Sequence, residues 1–249
     1  MQIIIAPARK MQVDTDSFPY HDLPRFIDQT EQIVSWMKGL RYAELREVWG
    51  NCSRNIADKQ FQIIKEMDLR KNLTPAIIAF VGLQYQHMAP DVLSDAGLEY
   101  ISKNLWILSG FYGVLRPFDG IVRYRLGMGD DARVNKTKNL YEFWGRQLAD
   151  EIFKDDDLVL DLASKEYSDA IKPYLTGNQR MVKCLFGQII DGKIKQNGAK
   201  AKMARGTMVR YLAENNISNI EDIKKFDIGG YKFVPEFSSE DVLAFAKDE

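Results

Sequence analysis

The chain has 249 residues, 45% of them hydrophobic, with 34 basic side chains against 35 acidic ones. That is enough for one large domain with a sizeable core, and no apolar run approaches the ~18 residues that span a bilayer; the near-neutral charge excludes a chain that is basic throughout. Cys52, Cys184, His21 and His87 are the only cysteines and histidines and none neighbours another, which argues against a disulfide framework and against a Cys/His metal centre, so neither cofactor nor metal is expected.

Met1 to Ala6 is rich in isoleucine and ends at Pro7, a buried strand leading into a functional loop. Its basic residues, Arg9 and Lys10, follow the apolar ones, the reverse of a signal peptide, so a cytoplasmic protein without a membrane is expected. Helical spacing predicts three helices between residues 23 and 70, marked by Phe26 to Trp36, Leu45 to Trp49 and Ile56 to Met67. Thr74-Pro75 has the form of an N-cap followed by proline at the first helical position, opening a short helix into Phe80. A helix is expected over 91–104, a short strand at Leu105–Leu108, turns over Gly110–Gly129, and a helix over 139–153. Leu158–Leu162 reads as a second buried strand, followed by Ser164 and a short helix. Asp191-Gly192 between apolar segments predicts a hairpin. A helix over 200–215 and a closing pair of strands, 231–237 and 242–247, complete a single domain over 1–249.

Charge is segregated along this sequence. Lys195 to Tyr211 holds five positive charges and no acid, whereas Asp150 to Asp157 holds five acids and one lysine, so a basic face is compatible with a neutral total.

Three segments carry candidate chemistry. In Leu108–Asp119, continuing to Arg123-Tyr-Arg125, Gly110 and Gly113 allow a tight turn with outward-facing amides, and the basic residues resemble those of a helix-hairpin-helix that grips phosphate; a glycine turn beside an aromatic core, with Arg116 in an ion pair, fits the same residues. In Ala201–Arg210, Lys202 and Arg205 share a helical stripe at i,i+3, and Gly206 inside a helix signals close approach by a backbone or ligand. In Asp161–Tyr167, with Lys172 beyond, polar residues follow the carboxyl end of a buried strand, where open α/β sheets bind ligands; Ser164 is also a natural N-cap. No Ser–His–acid arrangement and no Gly-rich nucleotide loop is present.

With those segments in hand the chain resembles the YaaA family of bacterial peroxide-stress proteins. The resemblance is carried by Pro7-Ala8, Ala79-Phe-Val-Gly82 with Tyr85, Leu108-Ser-Gly-Phe-Tyr-Gly-Val-Leu-Arg-Pro117, Asp119, Tyr124-Arg-Leu with Met128, Leu140-Tyr-Glu-Phe-Trp-Gly145, Leu162-Ala-Ser with Glu166-Tyr167, Lys172, Ala201-Lys with Ala204-Arg-Gly206, and Gly230-Tyr-Lys-Phe233. It implies an α+β fold, a single mixed α/β domain of unusual topology with a helix-hairpin-helix-like element and a basic cleft. It also implies binding of duplex or branched DNA, and a role in the oxidative stress response and iron homeostasis. Two departures stand out: Arg9-Lys10 where the family pattern has Lys-Thr, and Gly127 where it commonly has glutamate.

The residues assigned to DNA or phosphate are Arg9, Lys10, Gly110, Tyr112, Gly113, Arg116, Arg123, Arg125, Lys172, Lys202, Arg205 and Arg210. A second hypothesis is an enzyme acting on a nucleotide, nucleobase, damaged DNA or other phosphorylated small molecule, with Asp119, Ser164, Tyr167 and Lys172 as acid, base or nucleophile candidates. A third, direct iron binding at Asp155–Asp157, competes with a solvated acidic loop at those residues. A monomer is the expected state.

Overall fold

The apolar run Ile3-Ile4-Ile5 forms the pivot of the sheet. In the computed structural model, which describes residues 1–247, all three side chains are fully buried within strand β1 (Gln2–Ile5), as expected of a strand covered on both faces. The single domain expected over 1–249 thus extends two residues beyond the described ones. The same sheet contains β2 (Leu105–Ser109), β3 (Gly113–Leu115), β4 (Leu158–Leu162), β5 (Arg180–Ile190), β6 (Lys193–Lys195), β7 (Lys232–Phe233) and β8 (Val242–Lys247).

Their spatial order is β7-β8-β5-β4-β1-β2-β3, with β6 folded back on β5. The five central strands are parallel; β3, β6 and β7 pair antiparallel at the margins. Ile3 lies opposite Leu105 on one side and Leu160 on the other. The sheet is therefore mixed and mostly parallel, α/β in character where an α+β arrangement was expected. From β1 the chain moves to β2 on one side and later enters β4 on the other. This reversal makes the crevice beyond the carboxyl ends of β1 and β4 a topological switch point.

Besides the one-turn helix Ala76–Ala79, the described residues form ten α-helices: α1 (Ile27–Gly39), α2 (Tyr42–Val48), α3 (Arg54–Glu66), α4 (Leu83–Met88), α5 (Asp95–Asn104), α6 (Leu140–Trp144), α7 (Gln147–Ile152), α8 (Lys165–Ser168), α9 (Gly198–Glu214) and α10 (Ile220–Ile223). Helix α9 packs against α4, α5 and β5. Its Gly206 is required there, because a Cβ would overlap the carbonyl oxygen of Gln84 in α4. The close approach predicted from this glycine is thus one of helix to helix. The hairpin at Asp191-Gly192 forms as predicted, with φ of 53° and 69° at its two turn residues, the sign a type I′ turn demands.

Several local expectations fail for identifiable reasons. The short helix expected to open at Thr74-Pro75 forms at Ala76–Ala79 and ends at Phe80, but Pro75 and not Thr74 stands at its N-cap: Thr74-Pro75 pairs as a short strand with Gly120–Ile121, and the Thr74 hydroxyl accepts from the Asp14 amide at 3.0 Å. The helix expected over 139–153 is cut into α6 and α7 by Gly145 at φ +50°. The helix expected over 91–104 begins only at Asp95, where Ser94 accepts a capping bond from the Gly97 amide. Cys184 is buried as expected, whereas Cys52 is only half-buried.

The largest correction concerns the helix-hairpin-helix expectation. Gly110–Gly113 joins two strands, with Ser109 paired to Gly113, and the turn faces inward. The Phe111 and Tyr112 amides donate to the Ser109 hydroxyl at 3.1 and 2.9 Å, and both side chains are fully buried. Gly110 is pressed against Gly127, so that a Cβ would come within 2.6 Å of its carbonyl carbon. The Gly110 carbonyl accepts from the Trp144 indole at 2.9 Å. These glycines serve an aromatic core, and the Phe111 and Tyr112 amides are already spent on the Ser109 hydroxyl.

Candidate functional site

A recess of about 490 Å³ opens at the switch point beyond β1 and β4, within the ordinary range of small-molecule pockets, about 300–1,000 Å³. One side is the loop after β1, Ala6 to Arg9; the opposite side is Ser164, Glu166 and Tyr167, just past β4. Helix α9 contributes Lys202 and Arg205, and the segment 124–130 closes the remaining side with Tyr124, Arg125, Gly127 and Asp130.

Its walls are aromatic and fixed. Tyr124 stacks on Phe111, ring centroids 4.7 Å apart, and its hydroxyl bonds the Ser109 hydroxyl at 2.7 Å. The Tyr85 hydroxyl donates to the Ala6 carbonyl at 3.0 Å. Burial pushes the phenols of Tyr85, Tyr124 and Tyr167 well above their ordinary range, so all three remain neutral near pH 7. Ser164 occupies the N-cap position of α8 but makes no capping side-chain bond.

Two carboxylates face each other across the space above Gly127. Asp130 accepts from the Gly127 amide at 2.7 Å, and Glu166 accepts from the Gly129 amide at 3.0 Å. A Cβ at Gly127 would come within 3.0 Å of a Glu166 oxygen and 3.4 Å of an Asp130 oxygen, so the departure to glycine leaves the room this pair occupies. Burial is the main cause that raises the Asp130 pKa, with Glu166 adding to it; the Gly127 amide and the Arg9 charge pull the other way. An amide-held carboxyl pair with one member shifted upward is chemically suited to proton transfer.

The cations are graded in burial. Arg9 at the mouth is exposed and ion-paired with Asp130 at 3.8 Å; Lys202 is exposed and Arg125 half-buried. Arg205 is only 8% exposed, and its Nε is buried without a hydrogen-bond partner. The Asp161 carboxylate behind it is committed elsewhere, accepting from the Ala163 amide at 2.9 Å and the Ser168 hydroxyl at 2.7 Å. Burial lowers the Arg205 pKa and the charge of Asp161 opposes that shift, yet a guanidinium stays protonated at any ordinary pH.

Of the residues singled out from sequence, Arg9, Arg125, Ser164, Tyr167, Lys202 and Arg205 meet around this recess. The others lie elsewhere. Lys10 is exposed on a two-residue strand pairing with Val81. Gly110, Tyr112 and Gly113 are in the buried hairpin, where the Tyr112 hydroxyl accepts from the Val122 amide at 3.1 Å. Arg116 lies over the Trp106 ring, 3.6 Å from its centroid, and donates to the Lys103 carbonyl at 3.0 Å; the ion pair considered for it does not form. Asp119 is buried, accepts from the Arg116 amide at 2.8 Å, and has its pKa raised to about 7, first by burial. Arg123 and Lys172 are exposed outside the recess, and Arg210 pairs with Glu214 at 2.7 Å.

Sequence reasoning did not assign Asp130, Glu166, Gln84, Tyr85 or Tyr124 to the site. Glu166, Tyr85 and Tyr124 lay inside the motifs that carried the family resemblance, which was the available signal; Asp130 had only the Gly127-Met-Gly129 turn before it. Among the described residues no group of three or more His, Cys, Asp or Glu side chains is placed to hold a metal ion, and Asp156 is engaged by the amino terminus. No helix among them is long and apolar enough to cross a membrane.

Comparison with known proteins gives a consistent answer. The model of the family described as peroxide stress protein YaaA matches residues 1–237. A UPF0246 protein of Limosilactobacillus reuteri is 61% identical over 245 residues, 98% of each chain. One from Pediococcus pentosaceus is 48% identical over 249 residues, covering 100% of this chain and 99% of its own. A third, from Lachnoclostridium phytofermentans, is 46% identical over 249 residues, covering 100% and 97%.

Proposed function

This chain belongs to the YaaA family of peroxide stress proteins, and from that premise we propose that it serves the peroxide response by binding DNA, duplex or branched, through phosphates collected at its cleft, thereby limiting iron-dependent oxidative damage. The observation that carries this reading is the convergence of Arg9, Arg125, Lys202 and Arg205, from three separate parts of the chain, on one recess beyond the parallel strands. Cationic side chains that gather phosphates bind with little regard to sequence and release counterions as they do so.

A second reading has its own observation. The recess is too small for a duplex, whose major groove alone is about 12 Å wide, and it contains the Asp130–Glu166 pair. One nucleotide extruded from the stack, or a free phosphorylated small molecule, fits such a space, and the pair would then supply a proton donor and acceptor. The catalytic candidates that line the recess are Ser164 and Tyr167; Asp119 and Lys172 do not line it.

The deciding experiment is a titration of linear, bulged and four-way DNA at two salt concentrations, with Arg205→Ala alongside. Salt-sensitive affinity that falls at least tenfold in the variant for every sequence tested supports DNA binding at this cleft. No affinity at low salt removes that reading and favours a small-molecule enzyme.

A further inference from the structure

We propose that Arg205 is the floor of a seat for one terminal phosphate group, a phosphomonoester, carried by a nucleotide or by the end of a nucleic-acid strand. The inference deepens, and rests on, the reading of the cleft as a phosphate-binding site.

The argument starts from how the arginine reaches its depth. Gly206 lets α9 settle directly on the Gln84 carbonyl, which carries the adjacent Arg205 side chain down between α4 and the end of β4. The result is a charged group more than nine-tenths buried, lining a cavity, with its Nε unpartnered. A buried charge left without hydrogen bonds is costly. The nearest acid, Asp161, spends its two oxygens on the Ala163 amide and the Ser168 hydroxyl, so it offsets the charge from a distance and makes no ion pair with Arg205 among the described residues. Among the described residues no hydrogen bond engages this guanidinium, which lines the recess, and a planar fork of N–H groups matches the oxygens of a phosphate.

The charge of the ligand follows from the other groups. Four cations line the recess against the carboxyls of Asp130 and Glu166, an excess of two positive charges among the lining side chains when both acids are ionised, of which Asp161 behind Arg205 offsets a part. An internal phosphodiester carries one negative charge, whereas a phosphomonoester carries about −1.5 to −2 near pH 7. The dianion is the better complement. The size of the recess agrees, since it admits a single nucleotide unit and no duplex. Tyr85, Tyr124 and Tyr167 supply aromatic wall of the kind on which a base or sugar packs, and their neutral hydroxyls do not repel the anion.

The test compares affinities for short oligonucleotides ending in a 5′-phosphate, a 3′-phosphate or hydroxyls only, and for a nucleoside monophosphate against its nucleoside. The proteins are the wild type, Arg205→Gln, Arg205→Lys, and Arg210→Ala as a control outside the recess. About a tenfold preference for a phosphorylated end, abolished by Arg205→Gln, weakened by Arg205→Lys and kept by Arg210→Ala, is the expected result. Equal affinity for phosphorylated and hydroxyl ends overturns the seat while leaving DNA binding intact. Binding of the monophosphate without any affinity for DNA keeps the seat and removes the DNA reading. Should both Arg205 variants fail to fold, phosphorus NMR of the monophosphate on the wild-type protein decides: its second ionisation, near pH 6 when free, moves lower on binding if the dianion is preferred, and an unmoved value overturns the proposal.

Discussion

The segment from Leu108 to Arg116 and the segment from Ala201 to Arg210 both set glycine near arginine within an apolar stretch, and each is a reasonable place to look for a phosphate grip. They fold to different ends. In the first, polar groups that the turn buries find internal partners: the Ser109 hydroxyl takes two amides, the Gly110 carbonyl takes the Trp144 indole, and Arg116 lies on Trp106 with one N–H on a carbonyl. In the second, Gly206 draws the helix inward and Arg205 is left in a cavity with a buried, unpartnered nitrogen. A buried polar group that is satisfied holds structure together, and one that is not satisfied marks where a ligand belongs.

Three substitutions sharpen or break this contrast. The largest effect is expected from Gly206→Ala, since the new methyl would overlap a backbone oxygen of α4 that cannot rotate away. A loss of about 3 kcal/mol or more in urea unfolding is expected; a loss below about 1 kcal/mol would mean that α9 and α4 separate easily and that the depth of Arg205 is not set by their packing.

Asp119→Asn comes next and acts through pH. The Asp119 carboxyl has its pKa raised to about 7 by burial, so the folded state holds its proton more tightly than the unfolded chain. The stability that this contributes is complete below about pH 4 and is lost as pH rises through about 7. Asparagine removes the titration and can still accept from the Arg116 amide. The difference in stability between variant and wild type should therefore shift in favour of the variant, on the order of 4 kcal/mol, between pH 4 and pH 8. A pH-independent difference would contradict the burial of this carboxyl as the cause.

The smallest effect belongs to Arg116→Ala, which loses the stack on Trp106 and one bond to the Lys103 carbonyl. About 1 kcal/mol of stability should go, with DNA affinity unchanged at both salt concentrations. A drop in affinity equal to that of Arg205→Ala would erase the distinction between the two segments.

The parts of this protein that can be read from its sequence are those whose cause is local. The isoleucines of β1 and the run Leu158–Leu162 announce buried strands by composition, Asp191-Gly192 announces its turn because only certain residues accept positive φ, and Lys202 with Arg205 share a face because a helix repeats every 3.6 residues. The polar cluster after β4 that lines the recess is legible in the same way, from a polar run behind an apolar strand. Other features depend on what arrives from far along the chain. Thr74-Pro75 is followed by its short helix at Ala76–Ala79, but Gly120–Ile121 offers the pair a strand partner, so Thr74 does not cap it, and tertiary pairing outweighs a weak local preference. The Ser-Gly-Phe-Tyr-Gly turn becomes core because Trp144, Leu148 and Gly127 close over it. Asp130 meets Glu166, and Arg205 loses access to Asp161, only once β4, α9 and the loop of residues 124–130 are assembled. Chain chemistry by itself determined which residues carry charge and which segments form β1, β4 and α9; the three-dimensional packing alone decided which of two arginines, Arg116 or Arg205, is satisfied, because burial and hydrogen-bond partners are properties of contacts between distant segments.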